Sequence, residues 1–120
     1  MSGVPDGFKR LRRKRDFERA YREGKRLVNP FFVAFALETT EGLVRAGVVA
    51  SRKVGGAVVR NRAKRLLREV FRKERPRAGV SADLVLVARG ALAEASYHEV
   101  EASYRRGVGR WLDKVAGSPR

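Results

Sequence analysis

The stretch AVVRNRAKRLLREVFRK, Ala57 to Lys73, sets the reading of the rest of the chain. At 100° per residue, Val59, Ala63, Leu66, Leu67, Val70 and Phe71 gather on one stripe of a helix. Asn61, Lys64, Arg65, Arg68 and Arg72 gather on the opposite face, with Arg60 and Arg62 at the boundary. The apolar stripe is needed for a core. The helix ends near ERPRAG, where Pro76 and Gly79 break it. Arg60, Lys64, Arg68 and Arg72 repeat at i+4 with the same sign, which destabilises an isolated helix. From Arg52 to Arg77 the only acidic residues are Glu69 and Glu74. Solvated helix faces usually mix signs, so this face fits a polyanion better than water.

Upstream, LVRAGVVAS, Leu43 to Ser51, reads as a strand, followed by the basic connection RKVGG. FFVAFALE, Phe31 to Glu38, reads as another strand after Pro30, with TTEG as the turn between them, so a hairpin is expected. Phe31, Val33, Phe35 and Leu37 line one face of that strand, and Phe32, Ala34 and Ala36 the other. Both faces are apolar, so either both are covered or one is used for binding. Phe17, Ala20 and Tyr21 share one face of a short first helix that stops at Gly24. Downstream, DLVLVAR, Asp83 to Arg89, is a third strand. A last helix follows, with Ser96 and Glu99 as a capping box. Its stripe is Tyr97, Val100, Tyr104, Val108, Trp111, Leu112 and Val115, with Gly107 and Gly109 as weak points. The order is α-β-β-α-β-α, an α+β sandwich with three or four strands in one domain, residues 1–120, whose ends 1–8 and 116–120 are expected to be flexible.

The chain carries 28 Lys+Arg against 13 Asp+Glu, a formal charge of +15. Such self-repulsion suits a protein whose partner brings negative charge, nucleic acid or an anionic membrane. With 43% apolar residues the chain has enough for a core. It has no Cys, which removes thiolate metal sites and Cys nucleophiles. No apolar run approaches the roughly 20 residues that span a bilayer, and MSGVPDGFKRLRRKR is not a secretory signal, so a cytoplasmic location is expected. Phe17, Tyr21, Phe31, Phe32 and Phe35 cluster in the first third beside basic residues. Rings beside a positive groove hold single-stranded nucleic acid by stacking. Phe32 and Trp111 read as core, while Phe17, Tyr21 and Phe35 fit a core or a groove equally. No catalytic constellation emerges: His98 is the only His, Asp83 and Asp113 stand isolated, and KVGGAVVRNR lacks the order of a phosphate-binding loop. No catalytic residue and no metal ligand is assigned.

RLRRKRDFERAYREGKR, RAGVVASRKVGGAVVRNRAKRLLREVFR and DLVLVAR occur in the order and spacing of the bacterial ribonuclease P protein subunit. The resemblance spans roughly Phe8 to Trp111. Its most specific part is Arg60-Asn61-Arg62 followed by Lys64, Arg65 and Arg68, after Lys53-Val54-Gly55. It implies a left-handed strand–helix–strand crossover, against the general right-handed preference. It also implies a holoenzyme that removes the 5′ leader from precursor tRNA, with an RNA subunit that carries the catalysis and holds the required Mg²⁺. In that reading Arg60, Asn61, Arg62, Lys64, Arg65 and Arg68 face the RNA subunit. Phe17, Tyr21 and Phe35 line the leader groove, with Arg52 and Lys53 as its basic pair. The partners are the RNA subunit and precursor tRNA, with no membrane and no small-molecule cofactor. Gly56 and Val49 depart from the resemblance, at positions where a polar and a small hydroxyl residue are frequent. The alternatives are a ribosomal or other structural RNA-binding protein, a stand-alone nuclease, or a membrane-surface binder.

Overall fold

Alternation in the strands and a helical period in the helices place almost every large apolar side chain on one of two sheet faces. The computed structural model describes residues 8–74 and 79–117. In chain order the elements are β1 Phe8–Arg10, α1 Lys14–Glu23, β2 Lys25–Val28, β3 Phe32–Glu38, β4 Val44–Val49, α2 Ala57–Lys73 and β5 Ala82–Ala88. A 3₁₀ turn, Gly90–Glu94, leads into α3 Tyr97–Tyr104, a π-helical turn Arg105–Gly109 and α4 Arg110–Gly117. The strands form one five-stranded sheet in the order β1-β4-β5-β3-β2. β1–β4 and β4–β5 are parallel, while β5–β3 and β3–β2 are antiparallel.

The α+β class and the three main strands hold, and two short strands join them. The expected hairpin does not form: β5 lies between β3 and β4, pairing Phe35 with Val85 on one side and Gly47 with Val85 on the other. β5 is the most apolar strand and is buried on both faces, so burial is best served by placing it at the centre. The helical crossover through α2 lets β4 and β5 run parallel, which a short turn could not. The hairpin that does form joins β2 to β3, through a turn in which Asn29 Oδ1 accepts from the Phe31 and Phe32 amides at 2.8 and 3.0 Å. Phe31 therefore precedes the strand and packs at the edge of the main core instead of lining the face of Val33, Phe35 and Leu37. Of the ends expected to be irregular, Phe8 is in β1 and residues 116–117 are in α4, while 1–7 and 118–120 lie outside the described residues, as does Pro76.

One face of the sheet carries Phe32, Ala34, Ala36, Val44, Leu84 and Leu86, all buried under α2 and the C-terminal helix. α2 contributes Ala63, Leu67, Val70 and Phe71, with Leu66 half-buried. Val59, expected in this stripe, stays 36% exposed at the helix start. The C-terminal helix opens on the capping box: Ser96 Oγ accepts from the Glu99 amide and the Glu99 side chain accepts from the Ser96 amide. It buries Val100, Tyr104, Val108, Leu112 and Val115. Successive i+4 spacings drift by about 40° each in an ideal α-helix. The wide turn at Arg105–Gly109 absorbs part of that drift, at the place where Gly107 and Gly109 weaken the helix.

Candidate nucleic-acid interface

The outward face of α2 is cationic at its start and middle and mixed only at its end. Asn61, Arg65 and Arg68 are exposed, and Lys64 is half-buried. None of the four has an ion pair among the described residues. The acidic groups sit at the C-terminal end, where Glu69 pairs with Arg72 at 3.3 Å and Glu74 with Arg105 at 2.9 Å. Lys73 lies 5.3 Å above the ring of Tyr97, another route to compensation. Arg60 and Arg62 differ from the rest. Arg60 Nη1 donates to the Gly55 carbonyl at 3.2 Å, and Arg62 Nη1 to the Ala93 carbonyl at 2.7 Å. They fix the loop before α2 and the 3₁₀ turn beside it, and keep further donors for a ligand.

The other face of the sheet holds a second, smaller cluster. Leu11, Ala20 and Val85 are its buried centre, and Phe17, Phe35, Val49 and Val87 surround them half-buried. Phe17, Tyr21 and Phe35 thus meet on one surface, as the sequence suggests. Tyr21 stands edge-on to Phe35, with ring centroids 5.0 Å apart and planes at 84°. Tyr21 is 42% exposed, so the cluster is a core at Leu11 and a surface at Tyr21. Partial burial pushes the Tyr21 phenol above its ordinary pKa, which keeps it neutral. Arg52 and Lys53 lie in the turn that follows β4, exposed. Among the described residues no hydrogen bond or ion pair joins their side chains to the rings.

An ion triad ties α1 to this face. Arg45 Nε donates to Asp83 Oδ1 at 2.8 Å and Nη2 to Asp83 Oδ2 at 2.7 Å, while Arg45 Nη1 lies 3.5 Å from Asp16 Oδ2. Asp83 is therefore paired, not isolated, and only 1% exposed. Its hydrogen bonds raise the Arg45 pKa further above its ordinary range. Asp16 precedes Phe17, so the triad sets the position of that ring. No short-range pattern in the sequence links Arg45 to a residue 38 positions away. His98 is exposed, beside the Tyr97 ring.

Between the two faces, at the free edge of β4, lies a cavity of about 460 Å³ whose lining includes Arg10, Leu11, Phe17, Gly47, Arg65 and Arg68. It brings one ring of the groove together with two arginines of α2. Arg10, Leu11 and Gly47 were not distinguished by sequence. Among the described residues there is no group of three side chains that could hold a metal ion, and no helix is long and apolar enough to cross a membrane.

The sequence matches the ribonuclease P family over residues 6–111. The chain belongs to the ribonuclease P protein family. The ribonuclease P protein component of Caldanaerobacter subterraneus subsp. tengcongensis is 39% identical over 97 residues, covering 81% of this chain and 84% of that protein. The component from Desulfovibrio desulfuricans is 46% identical over 89 residues, covering 72% and 68%. Among solved structures, the RNase P protein of Thermotoga maritima superposes with a TM-score of 0.70 at 31% identity, over 88% of this chain and 96% of that one. The Staphylococcus aureus RNase P protein gives 0.74 at 28% identity, over 88% and 95%. Family membership makes this chain an RNA-binding component of a tRNA-processing ribonucleoprotein nuclease. Gly56 is the N-cap of α2 and offers no side-chain cap, and Val49 sits half-buried in the smaller cluster.

Proposed function

We propose that this protein binds the RNA subunit of ribonuclease P through the Asn61–Arg68 face of α2, and the 5′ leader of precursor tRNA through the groove of Phe17, Tyr21 and Phe35. The observation that carries the reading is the outward face of α2, with Lys64, Arg65 and Arg68 free of acidic partners among the described residues. Arginine offers phosphate a planar fork of donors, and each neutralised phosphate releases counterions. Arg60 and Arg62 add to that face while holding their loops. On the groove side, stacking tolerates many base identities, which suits variable leaders, and Arg52 and Lys53 supply phosphate contacts at its end. The cleavage chemistry and the Mg²⁺ belong to the RNA subunit. Asp16 and Asp83 converge on Arg45. We place the complex in the cytoplasm.

Reconstitution with a bacterial ribonuclease P RNA tests this, with leader cleavage measured at low Mg²⁺. Replacing Lys64, Arg65 and Arg68 together with Ala should lower affinity for the RNA subunit and flatten its log–log salt dependence by about 0.7–0.9 for each phosphate no longer neutralised. An unchanged slope with retained affinity would remove α2 from the interface. Tyr21→Ala should weaken precursor tRNA by about five-fold or more and spare mature tRNA, which has no leader. Equal losses for both RNAs with a lowered melting temperature would sink the groove.

A further inference from the structure

The cavity at the edge of β4 belongs to neither surface alone. β1 pairs with β4 only as far as Ala46, whose carbonyl accepts from the Leu11 amide at 2.9 Å. On the opposite edge Leu43 faces β5, its carbonyl accepting from the Ala82 amide. Backbone groups alternate sides along a strand, so Val44, Ala46 and Val48 point their N–H and C=O towards β1. At Val48 β1 has already ended. No strand among the described residues pairs with its amide and carbonyl on that side, and Val48 lines the cavity.

The walls around that free edge are of two kinds. Leu11, Phe17, Val48 and Phe71 give apolar surface, drawn from the β1–α1 connection, α1, β4 and α2. Arg10, Arg65, Arg68 and Arg72 stand around it against one acid, Glu69, which Arg72 already pairs. The cavity, about 460 Å³, is the size of a small-molecule site. A cavity with apolar walls, an unpaired strand edge beside it and four arginines around it fits an aromatic heterocycle bearing phosphate. A peptide strand on this edge would leave the cations unmatched, so charge favours a nucleotide over a polypeptide.

We propose that the cavity takes one unstacked nucleotide of the RNA bound by α2. Its base lies against Phe17 and Leu11 and its edge reaches the Val48 backbone. Its flanking phosphates are held by Arg10, Arg65 and Arg68. This rests on the reading that α2 faces RNA, and gives that face a base-binding element which charge alone lacks. It also couples the two surfaces, because Phe17 serves both.

Two experiments separate the pocket from the reading beneath it. The first uses the full-length protein with no RNA subunit. Adenosine and uridine 5′-monophosphate are titrated at millimolar concentration while backbone amide resonances are followed. Shifts at Gly47 and Val48 with a nucleotide, and none there with ribose 5-phosphate, are the expected result. Identical responses to nucleotide and ribose 5-phosphate, or none at those amides, would overturn the base pocket. The second fills the cavity without changing charge. Ala46→Leu projects into it from β4 and should weaken the RNA subunit by about ten-fold, the scale of one stacked base, with the salt slope unchanged. Unchanged affinity in a folded Ala46→Leu protein refutes the pocket while leaving the α2 interface standing. If that variant fails to fold, the mononucleotide titration decides alone.

Discussion

The two faces of the sheet are made from alternate residues of the same strands, yet they end in different states. On one, Phe32, Leu84 and Leu86 lie fully buried beneath a 17-residue helix and the C-terminal helix. On the other, Phe35, Val49 and Val87 are covered by the 10-residue α1 and stay half-buried. The first face has enough covering length to close. The second does not, and its remaining apolar surface is held in place by a polar device, the Asp16–Arg45–Asp83 triad. One face supplies stability and the other supplies a surface, a division that single substitutions can measure.

The largest effect should come from the closed face. Phe32→Ala removes a fully buried ring and should cost about 3–5 kcal/mol, read as a large fall in denaturation midpoint. A loss below about 1 kcal/mol would mean that the main core is not where the packing places it. On the open face the strongest single dependence is the triad. Arg45→Ala strands the buried Asp83 carboxylate and should cost about 3 kcal/mol. Arg45→Met combined with Asp83→Leu should recover most of that, because a buried pair can be exchanged for packed apolar groups when both charges leave together. If the double variant is as unstable as the single one, the triad contributes by geometry more than by charge.

Gly47→Ala tests how tightly α1 is seated. A Cβ at Gly47 would collide with the Phe17 ring at Cζ, so the ring must move. The cost should be about 1–3 kcal/mol, with faster amide exchange in α1 and little change in β3 and β5. Uniformly faster exchange across both faces would show that the smaller cluster is not a separate unit.

Much of this arrangement was legible in sequence, and the failures have physical causes. The stripes of α2 and of the C-terminal helix follow from period, and Ser96 and Glu99 marked the start of α3 because capping is a local interaction. The strands Phe32–Glu38 and Ala82–Ala88 were visible as apolar runs. Their neighbours were not, because pairing joins segments about 50 residues apart and leaves no local signature. β1, FKR, and β2, KRLV, were hidden by their charge. Short basic strands suit sheet edges, where Lys and Arg discourage further pairing, so they read as linkers. The α2 arginines share one helix face, which period alone reveals. The grouping of Arg10, Gly47 and Val48 around one cavity is not legible in sequence, because a cavity at a strand end depends on where the neighbouring strand stops.

The smallest effect concerns the start of α2, where stability and RNA binding should separate. Gly56 is the N-cap, no side chain caps the helix, and the first turn has no acidic residue. Gly56→Ser supplies an acceptor for the free amides and should raise stability by only a few tenths of a kcal/mol, since Gly is itself a tolerated cap. Gly56→Asp adds a negative charge that the helix dipole favours, for a total gain of about 0.5–1 kcal/mol at low salt. Yet that charge sits next to the cationic face and opposes the phosphates it would bind. Gly56→Asp should therefore melt higher and bind the RNA subunit more weakly, with the deficit shrinking as salt screens it. Gly56→Ser should melt slightly higher and bind normally. If both variants bind alike, the field at the start of α2 does not reach the RNA, and the interface lies further along the helix, around Arg65 and Arg68.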